Sequence, residues 1–206
     1  MYSSDNNNLH DHKIEANQIL DLIESLGDDQ LTAFFKQMDY TEEEKLLYLY
    51  KKLKITPKYD QNNKILPLNE TDQLAAVNKN PYVIQHIQNP SEKVQIAAVN
   101  ESGSAIYHII EKGIIPSEDV QLAAVNNDGY AIRDIINKGI IPSETVQLAA
   151  INRYGSAIEI IIQKGIIPSE DVQLAAVNSY GRAIYHFKNP SEKVKQLARE
   201  KGIKDV

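Results

Sequence analysis

"VQLAAVN" occupies residues 120–126 and returns letter for letter at 172–178, while "DQLAAVN" from Asp72, "VQIAAVN" from Val94 and "VQLAAIN" from Val146 are near copies. One phrase is thus written five times in a chain of 206 residues. Self-similarity of this kind marks a repeat architecture and constrains the fold before any local reading. Aligning on the phrase gives units that begin at Leu68, Pro90, Pro116, Pro142, Pro168 and Pro190, with lengths of 22, 26, 26, 26 and 22 before a shortened last unit.

The full unit reads "PSEDVQLAAVNNDGYAIRDIINKGII". Each unit opens on Pro-Ser, or Leu68-Asn69 in the first, and the Ser or Asn side chain is placed to accept from the free N–H groups of a helix's first turn. Glu118 and Asp119 follow where the helix dipole favours negative charge. On a helical wheel Val120, Leu122, Ala123, Ala124 and Val125 cover nearly every direction and leave Gln121 and Asn126 as the polar positions, which predicts a helix buried on most sides. The paired alanines let a neighbouring helix come close. Glycine at 103, 129, 155 and 181 ends this helix and opens a second, in which Ala131, Ile132, Ile135 and Ile136 make one apolar stripe; Lys138-Gly139 closes it.

A single helix pair of this size cannot bury its apolar surface, whereas stacked pairs share a continuous core. The expected fold is therefore all-α, an α-solenoid of stacked helix-turn-helix repeats over residues 68–206. The last unit, 190–206, reads as a capping helix: Gln196, Arg199 and Glu200 replace the residues equivalent to Leu122, Val125 and Asn126. Residues 1–54 carry three helical patterns outside the repeat, around Ile19 to Leu26, Leu31 to Met38 and Thr41 to Leu53, and read as an N-terminal helical cap. The aperiodic stretch 55–67 reads as a linker.

The units resemble HEAT-like α-helical repeats, and more narrowly the short "NPSE-x-VQLAAV-x-x-x-G-x-AI" tandem repeats of phage and bacterial proteins, mostly of unassigned function. The likeness covers residues 68–206. It implies a right-handed superhelical stack and brings no catalytic motif with it. The three central units depart from the short form by an additional "KGII". A more remote resemblance, to HEAT-like alkylpurine DNA glycosylases, implies nucleic-acid binding as the alternative function.

Composition narrows the classes further. The chain has no cysteine, which excludes disulfides, thiolate metal sites and cysteine nucleophiles. The net charge is −6, divided as −4 over residues 1–67 and −2 over 68–206, with no basic stripe of the sort that neutralises phosphate backbone. A polar N-terminus and the lack of a long apolar run lead to the expectation of a cytoplasmic protein without membrane association. None of the phosphate-loop, dinucleotide, nucleophile-elbow or zinc-protease motifs occurs, so an enzyme is not expected, and neither is a cofactor.

Comparison between units separates scaffold from variable positions. Tyr82, His86, Tyr107, His108, Tyr130, Arg133, Asp134, Glu159, Arg182, Tyr185 and His186 differ between units and fall on the side of the second helix opposite its isoleucines. They are the expected partner-binding residues of a protein-protein interaction module, with tyrosine and arginine as anchors. The phage flavour of the repeat extends this to an inhibitor or adaptor that binds a bacterial protein. His86, His108 and His186 hold equivalent places, but helices packed ~8–10 Å apart do not converge such residues on one ion, and no metal is assigned. Asn78, Asn100, Asn126, Asn152 and Asn178 recur in every unit and are expected to be structural, their amides bonding backbone groups in the turn between the two helices.

Overall fold

The computed structural model describes residues 67–204 and 206, together with positions 41, 46–48, 50, 51, 56, 58, 60 and 61. The chain separates into two compact units, Met1–Pro67 and Leu68–Val206. Most of the N-terminal region read as three capping helices, and most of the linker, lies outside the described residues. Positions 46–48, 50 and 51 are helical, and Tyr48 and Tyr50 are buried.

The second unit is all-helical among its described residues. Its first helices are α1 (Glu70–Lys79), α2 (Glu92–Glu101), α4 (Glu118–Asn127), α6 (Glu144–Arg153), α8 (Glu170–Ser179) and the terminal α9 (Glu192–Glu200). Its second helices are α3 (Ala105–Glu111), α5 (Ala131–Asn137) and α7 (Ala157–Gln163), flanked by two 3-10 helices, η1 (Pro81–His86) and η2 (Gly181–His186). Packing follows chain order. α1, α2, α4, α6, α8 and α9 lie side by side in one layer, and η1, α3, α5, α7 and η2 form the other, each against the first helices of its own unit. This is an α-solenoid, with the core between the layers.

The N-cap signal in the sequence is realised in all six first helices. Asn69, Ser91, Ser117, Ser143, Ser169 and Ser191 each accept from the backbone N–H three residues on. Four of the serine hydroxyls also reach back to the preceding unit, Ser91 donating to Glu70, Ser117 to Glu92, Ser143 to Glu118 and Ser191 to Glu170. Recurrence of Ser-Glu is thereby explained as a clasp between neighbours.

Within the repeated phrase the inward side is narrower than its apolar wheel predicts. Val120, Gln121, Ala124 and Val125 are buried, as are their counterparts in α2 and α6, whereas Leu122 and Ala123 are half-buried and Asn126 is exposed. Gln121, expected at the surface, is only 8% exposed; its amide donates to the Pro116 carbonyl at 3.0 Å, and Gln95 and Gln147 do the same to Pro90 and Pro142. This bond satisfies the carbonyl of the proline that starts each unit, at the junction where the chain passes from one unit to the next.

The opposite layer supplies the isoleucines. Ile106, Ile109, Ile132, Ile135, Ile158 and Ile161 are wholly buried, each contributing roughly 1.5–3 kcal/mol from apolar burial. The "KGII" residues decide helix type. Where they are present the second helix is α and seven residues long, and it ends in a left-handed glycine: Gly139 has φ +78°, with Ile140 N–H donating to the Ile135 carbonyl at 3.3 Å. Where they are absent, η1 and η2 cross the layer as 3-10 helices, whose larger rise per residue, about 2.0 Å, covers the distance with fewer residues. Those two segments are thus 3-10 rather than the α-helices expected.

At the C-terminal end Val194 and Ala198 are buried while Gln196, Arg199 and Glu200 are exposed. Arg199, which stands where Val125 is buried, pairs with Glu192 at 2.6 Å and donates to the Val206 carbonyl at 3.0 Å. The outer face of α9 is therefore polar.

Candidate interaction surfaces

The eleven variable residues of the second layer all lie exposed or half-buried, spread along the five units rather than gathered in one pocket. Much of this face is occupied with holding units together. The Tyr82 hydroxyl lies 3.2 Å from both Ser102 Oγ and Ser104 Oγ of the next unit, and these hydroxyls hold its phenol below the usual tyrosine range. Tyr130 repeats the arrangement one pair of units later, with its hydroxyl 3.0 Å from Ser156 Oγ and its ring stacked on Tyr154, centroids 5.0 Å apart. Alternation of Tyr and Ser at the start of the second helices is the sequence signal for this pairing.

The histidines are drawn into the same contacts. His108 meets Tyr82 and Tyr107 edge-on, at 5.8 and 5.3 Å between ring centroids. His186 Nε2 lies 3.4 Å from Glu159 Oε1. Among the described residues no group of three or more His, Asp or Glu is placed to share a metal ion. Asp134 is half-buried beside Arg133, and burial raises its carboxyl above the usual aspartate range. Arg133, Arg182, Tyr107 (44% exposed) and Tyr185 (61% exposed) lie at the surface, the Tyr185 hydroxyl donating to the Lys204 carbonyl at 3.3 Å.

A second surface lies where one central unit passes into the next. Ile115, Ile141 and Ile167, the last letters of the three "KGII" segments, are 80%, 78% and 91% exposed. Each stands at the same place in three consecutive units, just before the proline that opens the next. The tripled "II" is its signal in the sequence: past the left-handed glycine the first isoleucine of each pair is half-buried and the second stands outward.

The third surface is the outer side of the first layer. The expectation that the recurrent asparagines tie the turn needs correction: Asn78, Asn100, Asn126, Asn152 and Asn178 are exposed, and among the described residues none of their side chains bonds to the turn. Residues 119, 122, 123 and 126 share one side of the helix, opposite the buried 120, 121, 124 and 125, so the asparagine points away from the core. The turn is tied one residue later. Asn127 Oδ1 accepts from Gly103 N–H and its Nδ2 donates to the Asn100 carbonyl, both at 2.7 Å. Arg153 takes the equivalent place in the next unit, its Nε 3.4 Å from the Asn127 carbonyl.

Between α4 and α6 this outer side forms an open groove, lined by Leu122, Leu148 and Ala149 together with Asn126, Thr145, Asn152 and Arg153. The first turns of α4, α6 and α8 add five exposed carboxylates, Glu118, Asp119, Glu144, Glu170 and Asp171, and no cation. None of the described helices is long and apolar enough to cross a membrane. Comparison of the chain with protein-family models, curated proteins and solved structures finds no match.

Proposed function

We propose that the protein is a non-enzymatic interaction module that presents its helical stack to a protein partner. The observation that carries this reading is the row formed by Ile115, Ile141 and Ile167. Scattered exposed aliphatics are ordinary, but folding has no use for three isoleucines held outside the core at equivalent places in successive units. An apolar strip of this sort is what a protein surface buries on association.

The variable second-layer residues that face outward, Tyr107, Arg133, Arg182 and Tyr185, supply the residue types that anchor interfaces. They would give the module its selectivity. The resemblance of the repeat to those of phage and bacterial proteins supports a narrower form, an inhibitor or adaptor acting on a bacterial protein.

Affinity capture with the full chain tests the reading, using three baits: wild type, Ile115→Ser/Ile141→Ser/Ile167→Ser, and Tyr107→Ala/Arg133→Ala/Tyr185→Ala. A partner retained by wild type and lost from either variant is the expected result. Retention of duplex or single-stranded DNA with affinity that falls steeply as salt rises would replace this reading with nucleic-acid binding.

A further inference from the structure

The segment "KGIIPSE" is written three times without change, at 112–118, 138–144 and 164–170. Its outer isoleucine stands midway between a lysine three residues before it and a glutamate three residues after. Each copy carries the chain from the C-terminus of a second helix to the N-terminus of the next first helix, so three exposed rows run side by side along this edge of the stack: Lys112, Lys138 and Lys164; Ile115, Ile141 and Ile167; Glu118, Glu144 and Glu170. We infer that this edge is a two-fold interface with a second copy of the chain, each isoleucine row covered by its counterpart. The inference rests on the interaction-module reading and names the partner of the isoleucine row.

The order of the rows selects the occupant. An isologous interface has to be complementary to itself. Half a turn about the isoleucine row lays that row on its own copy and carries the lysine row of each chain over the carboxylate row of the other. Rotation about the perpendicular axis in the plane of the edge would instead set lysine on lysine, which is repulsive. A different partner would need the same three rows in reverse order, and this chain supplies them when it is turned over.

The charges on both sides agree. On the first-layer side Asp119 and Asp171 add to Glu118, Glu144 and Glu170, and no lysine or arginine stands in the first turns of α4, α6 and α8. On the second-layer side Lys112 donates to the Gln85 carbonyl at 3.1 Å and Lys138 pairs with Glu111, a carboxylate on that same side, so both ammonium groups are held along the edge while their side chains stay exposed. An ammonium has three donors, which leaves each able to meet a carboxylate across the interface. The pattern stops where the row stops. The short connectors "QNPSE" at 88–92 and "KNPSE" at 188–192 lack the isoleucine, and lysine enters the first turn just beyond them as Lys93 and Lys193.

Size sets the strength. Rows that repeat at ~8–10 Å, crossed by six residue steps that extend at most ~20 Å, give a patch on the order of 500 Å² per copy. Two such patches bury ~1,000 Å², the lower end of specific interfaces, so the dimer is weak and reversible.

Sedimentation velocity of the full chain from ~1 μM to ~1 mM brackets such a dimer, for which a Kd on the order of 10–100 μM is expected. Ile115→Ser/Ile141→Ser/Ile167→Ser should weaken it by about tenfold or more. Two charge variants fix the orientation: Lys112→Glu/Lys138→Glu/Lys164→Glu, and Asp119→Lys/Glu144→Lys/Asp171→Lys, which spares the clasping Glu118 and Glu170. Each alone should stay monomeric with the helical circular dichroism of wild type, and an equimolar mixture of the two should dimerise. Should either lose its helical signal, the isoleucine variant decides. A wild-type monomer throughout the range, a dimer indifferent to the isoleucine variant, or folded charge variants that fail to dimerise on mixing would each overturn the inference. A monomer that captures another protein through Ile115, Ile141 and Ile167 overturns it and leaves the interaction module standing.

Discussion

Gly103 donates its backbone N–H to the side-chain oxygen of Asn127 at 2.7 Å, across the boundary between two units. The nitrogen of the same amide reaches the Asn100 carbonyl at 2.7 Å, so one side chain bridges the end of α2 and the start of the following turn. Its chain neighbour Asn126, the same residue type, faces solvent.

This adjacency makes a clean comparison. Asn127→Ala leaves the buried Gly103 N–H without its acceptor and is expected to cost about 1–2 kcal/mol, or roughly 2–8 °C of melting temperature for a chain of this size. Asn126→Ala is expected to melt within about 1 °C of wild type. Thermal denaturation followed by circular dichroism decides between them, and equal losses would show the roles to be misassigned.

The glycines at the turns form a graded series. A methyl group on Gly103 would sit 2.6 Å from the Ala124 carbonyl oxygen, and on Gly129 2.8 Å from that of Ala150, both in the next unit. At Gly181 the nearest atom is the end of the flexible Ile203 side chain at 3.4 Å. Gly103→Ala and Gly129→Ala should each destabilise by ~1–3 kcal/mol, and Gly181→Ala by less than about 0.5 kcal/mol. Chemical denaturation of the three variants gives the order directly.

Removal of the isoleucine row should leave folding alone. Ile115→Ser/Ile141→Ser/Ile167→Ser changes side chains that contribute little to the core, so the unfolding free energy is expected to move by no more than about 0.5 kcal/mol per site. Retention on a hydrophobic-interaction column should fall. A large loss of stability would place these residues in an intramolecular contact instead.

Asp134 gives a pH dependence whose sign follows from its burial. Desolvation raises its carboxyl above the usual aspartate range, against the opposing charges of Arg133 and His108. The folded state then holds this proton more tightly than the unfolded state, so the contribution to stability falls as pH rises through the window and stays unfavourable at neutral pH. Asp134→Asn cannot ionise and should melt above wild type at neutral pH. The gap should close below the ordinary aspartate value of about 3.9. A variant that melts lower than wild type at neutral pH would contradict the sign.

The expected site and the structure part company at particular residues for a physical reason. Ser117, Pro116 and Gly129 could be read locally, since caps, helix starts and breaks depend on a few neighbours along the chain. Asn126 and Asn127 could not be told apart in this way. Which amide meets the Gly103 backbone depends on the rotation and offset of one unit on the next, a relation between residues 24 apart in the chain. The tyrosines misled for the same reason: Tyr82 and Tyr130 vary between units, yet their hydroxyls bond to serines of the following unit.

Five copies of one phrase were enough to establish a stack of helix pairs, because periodic burial and local capping are properties of the chain taken a few residues at a time. Which side of "VQLAAVN" faces water was a matter for tertiary structure. Its wheel is apolar almost all round, and only the packing of neighbouring helices on Val120, Ala124 and Val125 turns Leu122 and Asn126 outward. The phrase that secures the core therefore also carries the exposed asparagine row.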